Sequence, residues 1–418
     1  MNHLDWHADR AKLSSIASLD MAPESDGIDL AAVRQYRLAR VRNEMKDREI
    51  AALILSDPVN IRYATGTRNM QVFSARNTPA RYLLITDGKT ILYEFTGCMH
   101  LAEGYETLSQ VRPAVTASYV AAGPDILNVE RKWAAEMADT IVGLVGPAPT
   151  VGMERMNAGT AIALAGYGIN VVDAQAPVEM ARAIKCDEEI KCIIASLRAT
   201  ETAVGKLREA IHPGITENEL WSVLHQSVIA QNGDYCETRL LNSGRRTNPW
   251  FQETANKVIG RDELIALDTD VVGCHGYYSD FSRTFHSGPD KPSDEQRTLY
   301  KTAYEQVQYN IDILKPGLTF REYSERAWEI PAKYFANRYF VSAHGCGMTG
   351  EYPYLYHHAD FFSAGYDGVL VPGMIICVES YIGEESGDEG VKLEEQVLIT
   401  QDGTEVLSKF PFEYELLR

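Results

Sequence analysis

The pattern of apolar and polar positions divides the chain into two halves of different character. Leu30, Val33, Tyr36, Leu38, Val41 and Met45 recur near a period of 3.6 with Arg and Lys between them, which predicts an amphipathic helix over 30–48. Ile50-Ala-Ala-Leu-Ile-Leu55 is a short unbroken apolar run, read as a buried strand closed by Asp57-Pro58. Ala80–Ile85 predicts a second strand, and Asp87-Gly88 a hairpin turn into a third over 90–95. Helical and strand patterns then alternate as far as Val171-Val172, so the first half reads as an α/β domain. Residues 1–28 read as a polar arm of weak helical character. After Pro177 the pattern changes. Asp187, followed by Glu188 and Glu189, predicts an N-cap for a long helix to about Ala210, and Thr216 with Glu219 a capping box for the next. Helix pairs then alternate with strands such as Leu264–Leu267 and Met374–Val378. The boundary falls near 183, giving domains 1–183 and 184–418.

Composition narrows the function classes. The 418 residues are 45% hydrophobic and 23% charged, ordinary for a chain that buries real cores. Fifty-eight Asp+Glu against 40 Lys+Arg give a net charge of −18, whose field repels phosphate backbones and anionic membranes and attracts cations. Solubility alone is the preferred account of such a balance. No run of about 18 apolar residues spans a membrane, and the first ten residues hold no apolar signal core. Seven scattered cysteines without a CxxC fit free thiols in a reducing compartment, so a cytoplasmic location is expected.

Four segments carry the chemistry. In the first, Leu264-Ile-Ala-Leu-Asp268-Thr-Asp270 runs through a Gly-rich turn to Asp280-Phe-Ser-Arg283-Thr. Asp268 and Asp270 are i, i+2, which on a strand points both to one face, and the turn returns Asp280 towards them. Acids gathered at the end of so apolar a run cannot all ionise without a cation between them. The second segment, Ser342-Ala-His344-Gly-Cys-Gly347, sets an imidazole among small residues. The third and fourth are strands that carry Glu379 and Glu394 inside apolar runs, where an unpaired charge would cost several kcal/mol.

Taken together, the segments resemble the pita-bread metallopeptidase family of methionine aminopeptidases, prolidases and creatinases. The matching motifs are Asp280-x-Ser-Arg-Thr, His344-Gly-x-Gly, Pro-Gly-Met-x-x-x-x-Glu379 and Gly-Val-x-Leu-Glu394. Arg37-Leu-Ala-Arg-Val-Arg and Ser56-Asp-Pro-Val-Asn-Ile-Arg-Tyr63 are similar to the creatinase/prolidase branch, as are residues 183–190 and Pro213-Gly-Ile-Thr-Glu217. The resemblance covers nearly all of the chain after residue 30. It implies a creatinase-like α/β N-terminal domain, an α+β pita-bread C-terminal domain, a homodimer, and a dinuclear centre of divalent ions. Asp280 and Glu394 would bridge the ions, Asp270 would serve one, and His344 and Glu379 the other. Iron is taken first, with Mn, Co and Zn as alternatives.

Three departures separate this chain from the peptidases. Asp270 and Asp280 stand one residue closer together, and Asp268 adds an acid, read as a sixth ligand. Trp250 stands where a helper His is expected after Pro249. Gly350 replaces the His that holds a scissile amide ahead of Glu351-Tyr-Pro353. Without those imidazoles, proton delivery to a leaving amine is disfavoured. Trp250, Phe251 and Tyr339 are instead candidates for binding a substrate, because aromatic faces suit an onium head.

That combination resembles the dimethylsulfoniopropionate lyases of the same fold, which implies β-elimination to dimethyl sulfide and acrylate from a small zwitterionic onium substrate. An acidic base is expected in that class where this chain has Gly350. Glu351, Tyr339 and a metal-bound hydroxide are the candidates to replace it. Arg62, Arg68 and Asn69 are candidates to reach a neighbouring subunit's site, with surface charges the equal alternative. An Xaa-Pro dipeptidase or creatinase-like C–N hydrolase, and a non-catalytic onium-binding protein, remain as other readings.

Overall fold

The computed structural model describes residues 27–69 and 80–418, so all but the last two residues of the polar arm lie outside the described residues. The chain divides into two compact units, residues 1–182 and 183–418.

The first unit is built on a six-stranded mixed sheet. In chain order its strands are β1 (Ala52–Leu55), β2 (Tyr82–Thr86), β3 (Thr90–Glu94), β4 (Gln110–Pro113), β5 (Thr150–Met153) and β6 (Asn170–Asp173), and they lie in the order β4-β3-β2-β1-β5-β6. The unbroken apolar run of β1 fits its place between an antiparallel β2 and a parallel β5, with all four residues buried. The predicted hairpin turn joins β2 to β3, where Ile85 pairs with Thr90. The first helix spans Leu30–Asp47 and buries Val33, Leu38, Val41 and Met45, the face its periodicity marked. Arg62 and Asn69 are buried inside this unit, and Asn69 donates to Glu94 at 2.6 Å, where Arg81 also binds at 2.8 Å.

One buried acid in this unit gives a pH signature. Glu154, just after β5, accepts the backbone N–H groups of Ser56 (3.2 Å) and Asp57 (3.1 Å) and the amide of Asn60 (2.9 Å), closing the N-terminus of helix Pro58–Thr65. Burial, and then the charge of Asp57, push its carboxyl up to about 7. A carboxyl raised on folding contributes stability that is fully present below its unfolded value and is lost as pH rises through about 7. Glu154→Gln should therefore gain about 2 kcal/mol relative to wild type between pH 5.5 and 8. Urea-unfolding midpoints at the two pH values check this, and parallel midpoints would contradict it.

The second unit holds β7 (Tyr235–Cys236), β8 (Leu241–Ser243), β9 (Leu264–Asp268), β10 (Val271–Val272), β11 (Tyr278–Ser279), β12 (Ser282–His286), β13 (Ala343–Cys346), β14 (Gly350–Leu355), β15 (Ile375–Gly383), β16 (Gly390–Ile399) and β17 (Thr404–Val406). They form an antiparallel five-stranded sheet β14-β13-β15-β16-β17 and two three-stranded sheets, β12-β9-β8 and β11-β10-β7. Every residue of β15 and β16 is buried, so both faces of this pair are covered. One face meets Leu299, Ala303 and Val307 of helix Asp294–Ile313 through Ile376, Val378, Val391 and Leu393. By the two-residue period of a strand, Cys377, Glu379, Lys392 and Glu394 occupy the other. The long helix runs Asp187–Ala210, but Asp187 is not its cap. Cys186 takes that place in extended conformation, and its N–H donates to Glu189 at 3.3 Å. Thr216 and Glu219 form the predicted capping box. Among the described residues no helix is long and apolar enough to cross a membrane.

Candidate metal centre

The six predicted ligand residues converge in this unit, all of them buried. Strand register accounts for three of them. Glu379 and Glu394 are direct cross-strand partners on β15 and β16, and His344 on β13 pairs with Cys377 two residues before Glu379. Like charges directly opposite are unfavourable unless something cationic lies between them. Gly345 lets β14 pass close behind the imidazole, for a Cβ there would stand 2.2 Å from the carbonyl of Tyr352.

The three aspartates arrive differently from the expectation. The strand ends at Asp268, and Asp270 follows with φ +41°, so a left-handed turn rather than strand alternation brings both carboxylates to one place. Asp268 lies opposite Ser282 on β12, two residues beyond Asp280. Asp270 is held by the Tyr278 hydroxyl (2.8 Å) and by Thr238.

Two groups that could hold a metal ion result; they share Asp280, and Glu379 belongs to neither. Ligand atoms of Asp268, Asp270 and Asp280 lie within 4.8 Å of one another, as do those of Asp280, His344, Cys377 and Glu394. His344 Nδ1 donates to the Gly345 carbonyl at 2.9 Å, which leaves Nε2 facing Glu379 (3.1 Å), Asp280 (3.5 Å) and Glu394 (3.6 Å). Asp280 Oδ1 is buried without a hydrogen-bond donor among the described residues. Burial and then Glu394 raise the Asp280 carboxyl well above its usual range, and burial and then Asp268 raise Asp270 to about 7. An oxygen-rich set with an orphaned carboxylate oxygen and unpaid repulsion fits divalent cations.

The sequence reading missed Lys392. It occupies the unspecified position of Gly-Val-x-Leu-Glu394, two residues before that Glu and so on its face of β16. Its ammonium is fully buried and contacts Asp268 (3.0 Å), Glu394 (3.2 Å), Glu379 and the Ser282 hydroxyl (2.7 Å). Burial opposes that charge, but Asp268, Glu379 and Glu394 outweigh it and hold the ammonium well above its ordinary value. Cys377 was also not singled out, and its Sγ lies 3.7 Å from the Asp280 carbonyl.

A cavity of about 240 Å³ opens on this cage. Besides His344 and four of the acids, Tyr278, Tyr339, Phe340, Tyr354, Gly350 and Glu237 line it. Its aromatic wall is continuous, with ring centroids 4.9 Å apart from Tyr339 to Phe340 and 5.7 Å from Phe340 to Tyr354. Phe251 lies outside the lining and leans on Tyr339 at 5.2 Å, half exposed. Trp250 is buried behind the wall with Leu240, Ala266 and Tyr381, and Lys392 stands 5.9 Å from its ring. Glu351 is likewise outside the lining: it follows Gly350 on β14, so its side chain takes the opposite face and pairs with Lys185. Burial and then Glu379 raise the Tyr339 phenol well above its ordinary value. A Cβ at Gly350 would sit 3.9 Å from the His344 ring, an ordinary contact, so packing does not demand glycine there.

Comparison with known proteins agrees with this architecture. The dimethylsulfoniopropionate lyase DddP of Roseobacter denitrificans is 34% identical, over 93% of this chain and 88% of that one. An Xaa-Pro dipeptidase of Pyrococcus furiosus is 31% identical, over 54% of this chain and 64% of that one. The solved prolidase of Pyrococcus horikoshii superposes with a TM-score of 0.72 at 22% identity, covering 90% of this chain and 99% of that one. The creatinase/prolidase N-terminal domain matches residues 37–184, and metallopeptidase family M24 matches residues 191–401. This chain therefore belongs to metallopeptidase family M24, with a creatinase-type N-terminal domain and a pita-bread C-terminal domain.

Proposed function

We propose that this protein is a metal-dependent lyase that cleaves dimethylsulfoniopropionate, or a close onium relative, by β-elimination. One observation carries the reading: a buried cage of acids and one imidazole opens onto a cavity walled by Tyr339, Phe340 and Tyr354, and among the described residues no second imidazole lines it. His357, the nearest in sequence to the aromatic wall, bonds the Tyr339 carbonyl at 3.0 Å, and burial holds it neutral, at about 4. A peptidase must protonate a leaving amine. A sulfonium leaves as a neutral sulfide and requires no acid. The similarity to DddP supports the same reading.

Asp268, Asp270, Asp280, His344, Glu379 and Glu394 would hold two divalent ions, iron first among Mn, Co and Zn. Bound there, the ions would supply Lewis acidity for the substrate carboxylate and for charge developing beside it. Lys392 ties Asp268, Glu379 and Glu394 together. The aromatic wall receives the onium head, each ring contact contributing about 0.5–2 kcal/mol.

Headspace gas chromatography of enzyme loaded with Fe²⁺ or Mn²⁺ and supplied with dimethylsulfoniopropionate tests the proposal. Dimethyl sulfide release is expected. Its absence with both metals, together with proline release from Xaa-Pro dipeptides, would replace this reading with the dipeptidase one. Phe340→Ala should raise KM about fivefold, from the loss of about 1 kcal/mol of ring contact, with metal content unchanged. Steady-state kinetics beside metal analysis check it, and an unchanged KM would remove Phe340 from the binding wall.

A further inference from the structure

β-Elimination requires a group that accepts the proton on the carbon next to the substrate carboxylate. The expected place for it holds Gly350, which has no side chain to offer. Glu351 faces away and is paired with Lys185. Tyr339 is a buried phenol beside Glu379. Among the described residues, one acid of the cavity lining stands outside the predicted ligand set, and it is Glu237. Its carboxylate has no hydrogen bond or ion pair there, and the residue is exposed to solvent. Its place is set by β7, whose Cys236 pairs with Val271 of β10. One residue on, the Glu237 backbone N–H donates to the carbonyl of Asp270 at 2.8 Å. Glu237 thus belongs to the wall of the cavity at the metal end, alongside Asp270 and Tyr278. The carbon that gives up the proton is bonded directly to the carboxylate that the metal end would bind, so that end is where the base has to be.

We propose that Glu237 is the proton-accepting catalytic residue, taking over from the position that Gly350 leaves blank. A Glu237 carboxylate oxygen takes the α-proton of the substrate. The C–H electron pair becomes the second bond between the α- and β-carbons, and the β-carbon–sulfur bond breaks with its pair staying on sulfur. Dimethyl sulfide and acrylate leave, and the protonated Glu237 returns its proton to the solvent to which it is exposed. No oxidant or further reactant enters the balance. The assignment rests on the lyase reading above.

The test uses the full-length metal-loaded enzyme with dimethylsulfoniopropionate. Glu237→Gln should lower kcat at least a hundredfold, within the range typical of general-base catalysis, while KM and metal content stay within about twofold of wild type. Glu237→Ala should regain at least tenfold of its lost rate when formate or acetate is added. If wild type releases dimethyl sulfide and Glu237→Gln keeps its kcat, the base assignment alone is overturned. A raised KM with kcat intact overturns it too and makes Glu237 a counter-ion for the onium head. If wild type releases none, the lyase reading falls and takes this assignment with it.

Discussion

Asp280→Ala is expected to lose metal and activity together, because Asp280 belongs to both groups of the cage that could hold a metal ion. Removing it opens both positions at once, whereas loss of Asp270 touches one. A metal ion contributes several kcal/mol to such a reaction, so the rate should fall by about three orders of magnitude or more. Metal analysis by mass spectrometry should show less than half the wild-type content after gel filtration. Asp280→Asn keeps the shape and removes the charge, and it should behave the same way. Full metal retention in either variant would mean that the cations sit elsewhere.

Lys392→Met should strongly destabilise the second unit. The ammonium is fully buried and touches Asp268, Glu379 and Glu394. Methionine fills much of its volume but leaves three carboxylates facing one another. Breaking a buried network from one side costs about 3–5 kcal/mol, a loss on the order of 10 °C in Tm for a domain of this size. Added Mn²⁺ should restore part of that loss, since a divalent ion offsets the same repulsion. Scanning calorimetry with and without the metal reads both effects. A Tm within about 2 °C of wild type would show that the cage does not depend on its internal cation.

What the sequence disclosed about the site follows from how each residue is placed. Glu379 and Glu394 lie on long buried strands and His344 on a short buried one, where an acid or imidazole among apolar or small residues stands out and register fixes its partner. Lys392 sits on the same face two residues from Glu394, and the i, i+2 rule that joined Asp268 to Asp270 would have found it. Asp268 and Asp270 do converge, but through a left-handed backbone at Asp270, which aspartate adopts more readily than most residues but which an Asp alone does not announce. Glu351 was adjacent in sequence to the expected base position, yet strand alternation sends it to Lys185. Glu237 was invisible because β7 is only two residues long and its pairing with β10 spans a long loop. Trp250 was read as lining the pocket, whereas the structure puts it one layer behind, against Tyr381 at 5.9 Å.

The fold was more legible than the site. The apolar run of β1, the Asp87-Gly88 turn and the Thr216–Glu219 capping box are local signals, each sufficient for its own element. Cys186 rather than Asp187 caps the long helix because the chain is already extended at Cys186, and Asp187 supplies first-turn charge instead.

The central claim is that the cage performs an elimination at carbon and not a hydrolysis. Proton NMR of the iron-loaded enzyme with dimethylsulfoniopropionate tests it most directly, by following the vinyl signals of acrylate against the methyl signal of dimethyl sulfide. The account predicts that the two products appear in equal amounts, with no 3-hydroxypropionate. Dimethyl sulfide accompanied by 3-hydroxypropionate in place of acrylate, or an unchanged substrate spectrum, would contradict it.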